Sequence, residues 1–251
     1  YLKLKLQITG FLGSYFTAVS GYTLQKLRAL GIRATKAVQI SNPVIISPPL
    51  APEQQSKLRA ELRGNLFPGI DDKTFLWIHV ANLRPVKDQK TLLRGFAGAL
   101  RLTQLPQRLV IIGEGQERNN LEALCRELAI RDEVRLLGFR HNARELLPGA
   151  DGFILSSRSE GLPVALLEAG AAGLYLLSTR VGGVDEIVTP GKTGALFRPG
   201  DHAKLSQLIR DAIENRERTQ TIANHTRSFI EQHYSEDKVI DDYLEFFSRI
   251  V

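Results

Sequence analysis

The chain has 251 residues, 43% of them hydrophobic and 24% charged, a globular composition that suits one large domain or two small ones. Its formal net charge of +6 favours acidic partners such as phosphates, nucleic acid or anionic lipid, but the Lys and Arg are spread along the sequence, and without a basic run interleaved with aromatics no nucleic-acid surface is expected. The longest apolar stretch, Leu162–Leu177, contains Pro163 and Glu168 and is too short to span a bilayer comfortably, while a single cysteine rules out an intrachain disulfide and suits a reducing, cytoplasmic compartment.

In chain order, Tyr15–Ser20 reads as a strand, Tyr22–Leu30 as a helix and Lys36–Asn42 as a short strand. Pro43–Pro52, with four prolines, reads as a linker, and Glu53–Arg63 as a helix. The rhythm then becomes regular. Strands over Phe75–Leu83, Arg108–Ile112, Val134–Phe139, Gly152–Ser157, Tyr175–Thr179 and Gly194–Arg198 alternate with helical segments over Asp88–Leu102, Glu117–Ala129, Ala143–Leu147, Pro163–Ala172 and Val184–Val188. Helices over Ala203–Asn215, Arg218–His233 and Glu236–Ile250 close the chain. Cys125 shares a helical face with Leu121, Leu124 and Leu128, which predicts a core thiol. Short continuous apolar strands alternating with helices predict an α/β fold with a doubly wound parallel sheet, whose ligands bind off the carboxyl ends of the strands.

The chemically distinctive residues all stand at such ends. Ser159–Gly173 (SEGLPVALLEAGAAG) carries Glu160 and Glu168 with seven residues between them. Pro163 suits the first helical position, so Glu160, Gly161 and Leu162 approach a helix N-terminus whose free N–H groups and dipole favour an anion. Glu168 lies five residues beyond Pro163, about 8 Å along the axis. In so apolar a run its carboxylate either pairs with an Arg or backbone N–H groups, or meets two adjacent hydroxyls such as those of a ribose. Asn82, Arg84 and Lys87 follow a strand end, where the two cations would hold a diphosphate or simply line a solvated turn. Gly113, Glu114 and Gly115 open like a dinucleotide fingerprint, but Arg118 stands where its third glycine would be, so a tight strand-to-helix turn is the simpler reading. Phe139 and His141 follow another strand and would flank a base or lie on the surface. Gly182 and Gly183 open a short helix as a second anion corner or a plain turn. No zinc-type Cys/His spacing, G-x-S-x-G elbow or Walker loop is present.

Taken together and in this order, VANLRPVKDQKTLLRGF, LVIIGEGQERNNLEAL, VRLLGF, SRSEGLPVALLEAGAAG, TRVGGVDEIV and GKTGALFRPGD resemble the carboxyl-terminal, donor-binding domain of retaining glycosyltransferases of the GT-B fold, family-four type, the glycosyl transferases group 1. The resemblance is dense from Phe75 to Arg198, and the E-x7-E pair is its most specific element. Tyr15–Pro43 resembles the last strand–helix–strand of that family's amino-terminal domain, and Ser235–Val251 its final crossover helix. The implied organisation is an amino-terminal-domain remnant over 1–45, a linker and leading helix over 46–72, a Rossmann-like nucleotide-sugar domain over 73–234 and the crossover helix over 235–251.

What the resemblance implies for the residues is specific. Glu168 would bond the ribose hydroxyls of a nucleotide-diphosphate-sugar. Glu160 would meet the donor sugar, and the backbone around Gly161, Leu162 and Pro163 the sugar or phosphate. Lys87, with Asn82 and Arg84 beside it, would bind the diphosphate. Gly113, Glu114 and Gly115 would border the nucleotide, and Phe139 to His141 would meet the base. The reaction would retain anomeric configuration and serve polysaccharide or glycolipid synthesis without a metal or other cofactor, Glu160, Lys87 and Arg84 standing at the reacting centre. The acceptor stays open among glycan, lipid and small molecule, as does peripheral contact with the inner face of a membrane.

The sequence also departs from the family pattern. Asn82 stands where the family usually has Arg, so Arg84 either substitutes from a shifted position or the clamp is weaker. Gly170 replaces a common Met and Tyr175 a common Pro. The chain opens at Tyr1, contains no Met and shows no secretory signal at its start. It reads as a piece lacking an acceptor domain of about 150 residues, which alone would bind donor and catalyse little. A non-catalytic nucleotide-sugar module needing a partner chain, and a glycoside phosphorylase of similar fold, are the alternative readings.

Overall fold

The computed structural model describes residues 14–48, 50–71 and 73–250. Residues 1–13, the start of the expected 1–45 segment, lie outside the described residues. From residue 14 onward, β1 (Phe16–Ala18), α1 (Gly21–Ala29) and β2 (Ala37–Gln39) form a parallel β-α-β unit of two strands. Ser20 starts α1 by accepting a hydrogen bond from Thr23 N at 3.2 Å, the usual work of a serine N-cap.

After the proline-rich linker comes α2 (Pro52–Leu66). Then β3 (Phe75–Val80), α3 (Gln89–Leu102), β4 (Gln107–Ile112), α4 (Arg118–Glu127), β5 (Val134–Leu136), α5 (Ala143–Leu146), β6 (Gly152–Leu155), α6 (Val164–Ala171), β7 (Tyr175–Thr179) and β8 (Ala195–Phe197) follow in order. The six strands from β3 to β8 form one parallel sheet in the order β5-β4-β3-β6-β7-β8. Helices α7 (His202–Glu214), α8 (Arg216–Tyr234) and α9 (Glu236–Ser248) complete the chain.

The apolar strands are buried on both faces, and the pleat divides their side chains between two cores. Phe75, Trp77, Leu109, Ile111 and Leu177 pack against α3, α4 and α7 through Phe96, Leu121 and Leu205. Leu76, Ile78, Val110, Ile112 and Leu176 pack against α2, α6 and α8 through Leu62, Leu166 and Ile230. Each fully buried large side chain contributes about 1.5–3 kcal/mol. Cys125 sits in the first core at 3% exposure, and burial pushes its thiol up to about 11.

The expected strands at Val134–Phe139 and Gly194–Arg198 shorten to three residues each. Both lie at sheet edges, where pairing on one side only lets the chain turn away early. Tyr15–Ser20 and Lys36–Asn42 shorten likewise: among the described residues β1 and β2 pair with each other alone. Pro163 stands one residue before α6 rather than at its first position, with φ −73° and ψ 110°. At the amino edge of the sheet, Asp151 accepts from Leu76 N at 2.8 Å and Arg63 at 2.6 Å, and also pairs with Arg59 and Arg216. The last helix meets the amino-terminal unit where Tyr15 and Phe246 pack edge to face at 6.0 Å.

Candidate functional site

The strand order reverses at β3: β4 and β5 build outward on one side, β6, β7 and β8 on the other. The loops that leave β3 and β6 therefore diverge and open a crevice at their carboxyl ends, the usual ligand position in such sheets. Lys87, from the first loop, and Glu160, from the second, meet across that crevice in a 2.7 Å ion pair. Their side chains are 24% and 10% exposed, so the pair is partly desolvated and its charge-assisted bond is stronger than one on the surface.

Both loops are stitched together beneath the pair. Ser156 Oγ donates to Lys87 O at 2.9 Å, Arg158 N to Val86 O at 2.8 Å and Arg158 Nε to Asp88 Oδ2 at 3.0 Å. Asp88 holds a left-handed backbone at φ 47° and is 6% exposed. Its carboxylate, which accepts from Thr91 Oγ1 at 2.9 Å as well as from Arg158, fixes that otherwise unfavourable turn.

Two glycines let neighbouring loops close in. Gly113 has φ 141°, and a Cβ there would overlap the Ala81 carbonyl, so the loop after β4 can lie directly on the loop after β3. Gly182 has φ 57°, and a Cβ there would overlap the carbonyl oxygen of Glu160. That carbonyl's neighbour, Gly161 O, accepts from Gly183 N at 2.8 Å and from Ser20 Oγ at 3.1 Å, while Asn42 Nδ2 reaches Leu162 O at 3.1 Å. The turn carrying Glu160 is thus held by the Gly-Gly segment and by the amino-terminal unit. Glu186 completes this contact, its carboxylate accepting from Gly21 N at 2.9 Å and Gln39 Nε2 at 2.6 Å.

Glu168 is half-buried on α6; its carbonyl accepts from Ala172 N at 3.0 Å, while its carboxylate neither accepts a hydrogen bond nor forms an ion pair among the described residues. Burial pushes its carboxyl above the usual range, partly offset by the nearby Arg144 guanidinium. Arg144 acts on it only at a distance, and among the described residues no Arg or backbone N–H bonds the carboxylate directly. Glu168 and His141 border a cavity of about 790 Å3 that runs along α6 to Gly173 beneath Ile45 and Ser47 of the linker. Lys87 and Glu160 do not line that cavity. Phe139 is 65% exposed and stands edge-on to His141 at 4.7 Å, an open aromatic step beside the Gly113 turn. Glu114 is exposed and pairs with Arg118, and Gly115 lies against Leu83. Leu162 and Pro163 are buried under α6.

Arg84 does not join the Lys87–Glu160 pair. It is exposed and lines a separate depression of about 460 Å3 with Lys90, Glu117 and Arg158, because the 3-10 turn over Pro85–Lys87 sends it the other way. Asn82 is exposed, and its carbonyl oxygen accepts from Gln89 Nε2 at 3.0 Å. The sequence reading missed two side chains here, His79 and Gln89, buried directly beneath the crevice; a titratable residue inside an otherwise apolar strand was the signal. Among the described residues no three His, Cys, Asp or Glu side chains are grouped so as to hold a metal ion. No helix among them is long and apolar enough to cross a membrane.

The family model described as glycosyl transferases group 1 matches residues 66–229. The chain is 30% identical over 175 residues to the N-acetyl-alpha-D-glucosaminyl L-malate synthase of Bacillus anthracis, covering 70% of this chain and 45% of that protein. It is 29% identical over 158 residues to the lipopolysaccharide core biosynthesis glycosyltransferase LpsD of Rhizobium meliloti, covering 62% of this chain and 46% of that one. The chain thus spans about half the length of these curated relatives. Among solved structures, Anabaena HepE in complex with UDP superposes with a TM-score of 0.85 at 24% identity, over 99% of this chain and 68% of that one, which establishes a shared fold.

Proposed function

The chain belongs to the glycosyl transferases group 1, and from that premise we propose that it supplies the donor-binding half of a retaining glycosyltransferase that uses a nucleotide-diphosphate-sugar. The observation that carries this reading is Glu168, a half-buried carboxylate that makes no hydrogen bond or ion pair among the described residues, on the helix that follows the loop carrying Glu160. A ribose diol supplies the two donors such a carboxylate needs. The diphosphate then falls between Lys87 and the N-terminus of α6, and the donor sugar at Glu160.

In this reading the bond between the sugar's anomeric carbon and the diphosphate oxygen breaks. The acceptor hydroxyl oxygen adds to the same face, and its proton passes to the departing phosphate oxygen. Lys87 and the first N–H groups of α6 meet the negative charge that develops on that oxygen, an electrostatic contribution already oriented before reaction. The acceptor, and the remainder of an active enzyme, belong to a further domain in this reading.

The test is a thermal-shift titration of the chain with UDP, GDP and ADP and with inorganic phosphate, repeated with Glu168→Ala. UDP comes first because it is the ligand in the HepE structure. A concentration-dependent rise in Tm for one nucleotide, lost in the variant, is the expected result. A rise with phosphate alone, untouched by Glu168→Ala, would favour the phosphorylase reading instead.

A further inference from the structure

His79 is fully buried and Gln89 is 1% exposed, the first at the end of β3 and the second at the start of α3. Two polar side chains packed where two apolar ones would fit carry a desolvation cost that needs a return. Their bonds define one arrangement. His79 Nδ1 lies 2.8 Å from the carbonyl oxygen of Ile154 on β6, which can only accept, so Nδ1 carries the proton. His79 Nε2 is then an acceptor, and the Gln89 amide nitrogen stands 3.3 Å from it and 3.0 Å from Asn82 O. One NH2 group therefore donates twice, to the imidazole and to the carbonyl that begins the loop.

The loop bounded by Asn82 and Gln89 contains Lys87. Gln89 closes it at its base, His79 fixes Gln89, and Ile154 ties His79 to the strand that leads to Glu160. The two strands that flank the crevice are thus joined by a buried chain of hydrogen bonds directly under the ion pair. Both charges of that pair act on the ring: Lys87 disfavours its protonation and Glu160 favours it, while burial dominates and holds it neutral.

We propose that His79 and Gln89 are positioning residues that hold the 82–89 loop so that Lys87 meets the diphosphate of the donor. The inference rests on the donor-site reading above, and it makes a claim that reading does not: the phosphate part of the binding depends on two side chains that touch no ligand.

The experiment compares a nucleoside with its diphosphate. Uridine and UDP, with guanosine–GDP and adenosine–ADP alongside, are titrated calorimetrically into the chain, into His79→Asn and Gln89→Met, and into Lys87→Ala as the reference for a lost phosphate contact. The expected result is a ratio of diphosphate to nucleoside affinity that falls about tenfold in both positioning variants, the order expected for a misplaced charge-assisted contact, with nucleoside affinity unchanged. A lower Tm with the wild-type ratio intact would mean a merely structural role and overturn the proposal. If His79→Asn does not fold, Gln89→Met decides alone, since it removes only the amide. If the unmodified chain gains nothing from the diphosphate with any of the three bases, the donor-site reading itself falls and takes this inference with it.

Discussion

Acidification is expected to loosen this fold through one residue. Burial holds the His79 imidazole down to about 4, against about 6.5 in an unfolded chain. Between those values the unfolded chain takes up a proton that the folded one refuses, so stability is complete above pH 6.5 and is lost as pH falls toward 4. The loss attributable to His79 is about 2 kcal/mol between pH 7 and pH 5 and approaches about 3 kcal/mol below pH 4. Glu168 acts in the opposite sense: its raised carboxyl binds a proton more readily in the fold than out of it, so it opposes the decline at the acid end. Urea denaturation of the chain and of His79→Asn at intervals from pH 4.5 to 7.5 isolates the imidazole, because every other group is common to both. The unmodified chain should start more stable and converge on the variant as pH falls. Parallel stability curves across that range would refute the argument and mean that the ring titrates in the fold as it does in the unfolded chain.

Three other perturbations test the geometry. Gly182→Ala forces a side chain into a φ of 57° and onto the Glu160 carbonyl, and should cost about 1–3 kcal/mol; under the donor-site reading it also weakens UDP binding more than the fall in Tm explains. Asp151→Asn removes the carboxylate shared by Arg59, Arg63 and Arg216; with Arg63 2% exposed, the expected loss is about 3–5 kcal/mol in chemical denaturation, with nucleotide affinity of the folded protein unaltered. Cys125, its thiol near 11 and its side chain in the core, should resist iodoacetamide at pH 8 until the chain unfolds, and rapid labelling of native protein would contradict its placement.

How far the sequence revealed this arrangement depends on the range of each interaction. The strand RLVII was legible because burial on both faces leaves a continuous apolar run, but the strand expected over Phe75–Leu83 stops at Val80 where the chain turns into the crevice loop, and β5 and β8 lost their ends to one-sided pairing that no local pattern records. Glu160 and Glu168 were legible as a spaced pair on a helix start, yet they differ in circumstance: one is already paired and the other is not. Lys87 and Glu160 lie 73 residues apart, and only the reversal of strand order at β3 brings them together. Arg84 shows the opposite case. It is three residues from Lys87, but a single 3-10 turn sends it into another depression. Phe139 was expected at the end of a strand; β5 stops at Leu136, which leaves the ring on an exposed loop.

The Lys87–Glu160 pair balances the charge of the crevice. A lysine beside a helix N-terminus concentrates positive charge in a partly desolvated place, and Glu160 neutralises it at 2.7 Å. Under the donor-site reading a diphosphate must displace that carboxylate from Lys87, which frees Glu160 to accept from the sugar hydroxyls. The same side chain then opposes binding of a nucleotide without sugar and supports binding of one with it. Glu160→Gln should therefore leave UDP affinity equal to or tighter than that of the unmodified chain, while the affinity for the matching nucleotide-sugar falls. Calorimetry on both ligands reads the difference directly. If Glu160→Gln weakens UDP as severely as Lys87→Ala does, the carboxylate is not a competitor for the lysine, and its role in the crevice is to hold Lys87 in place for the phosphate.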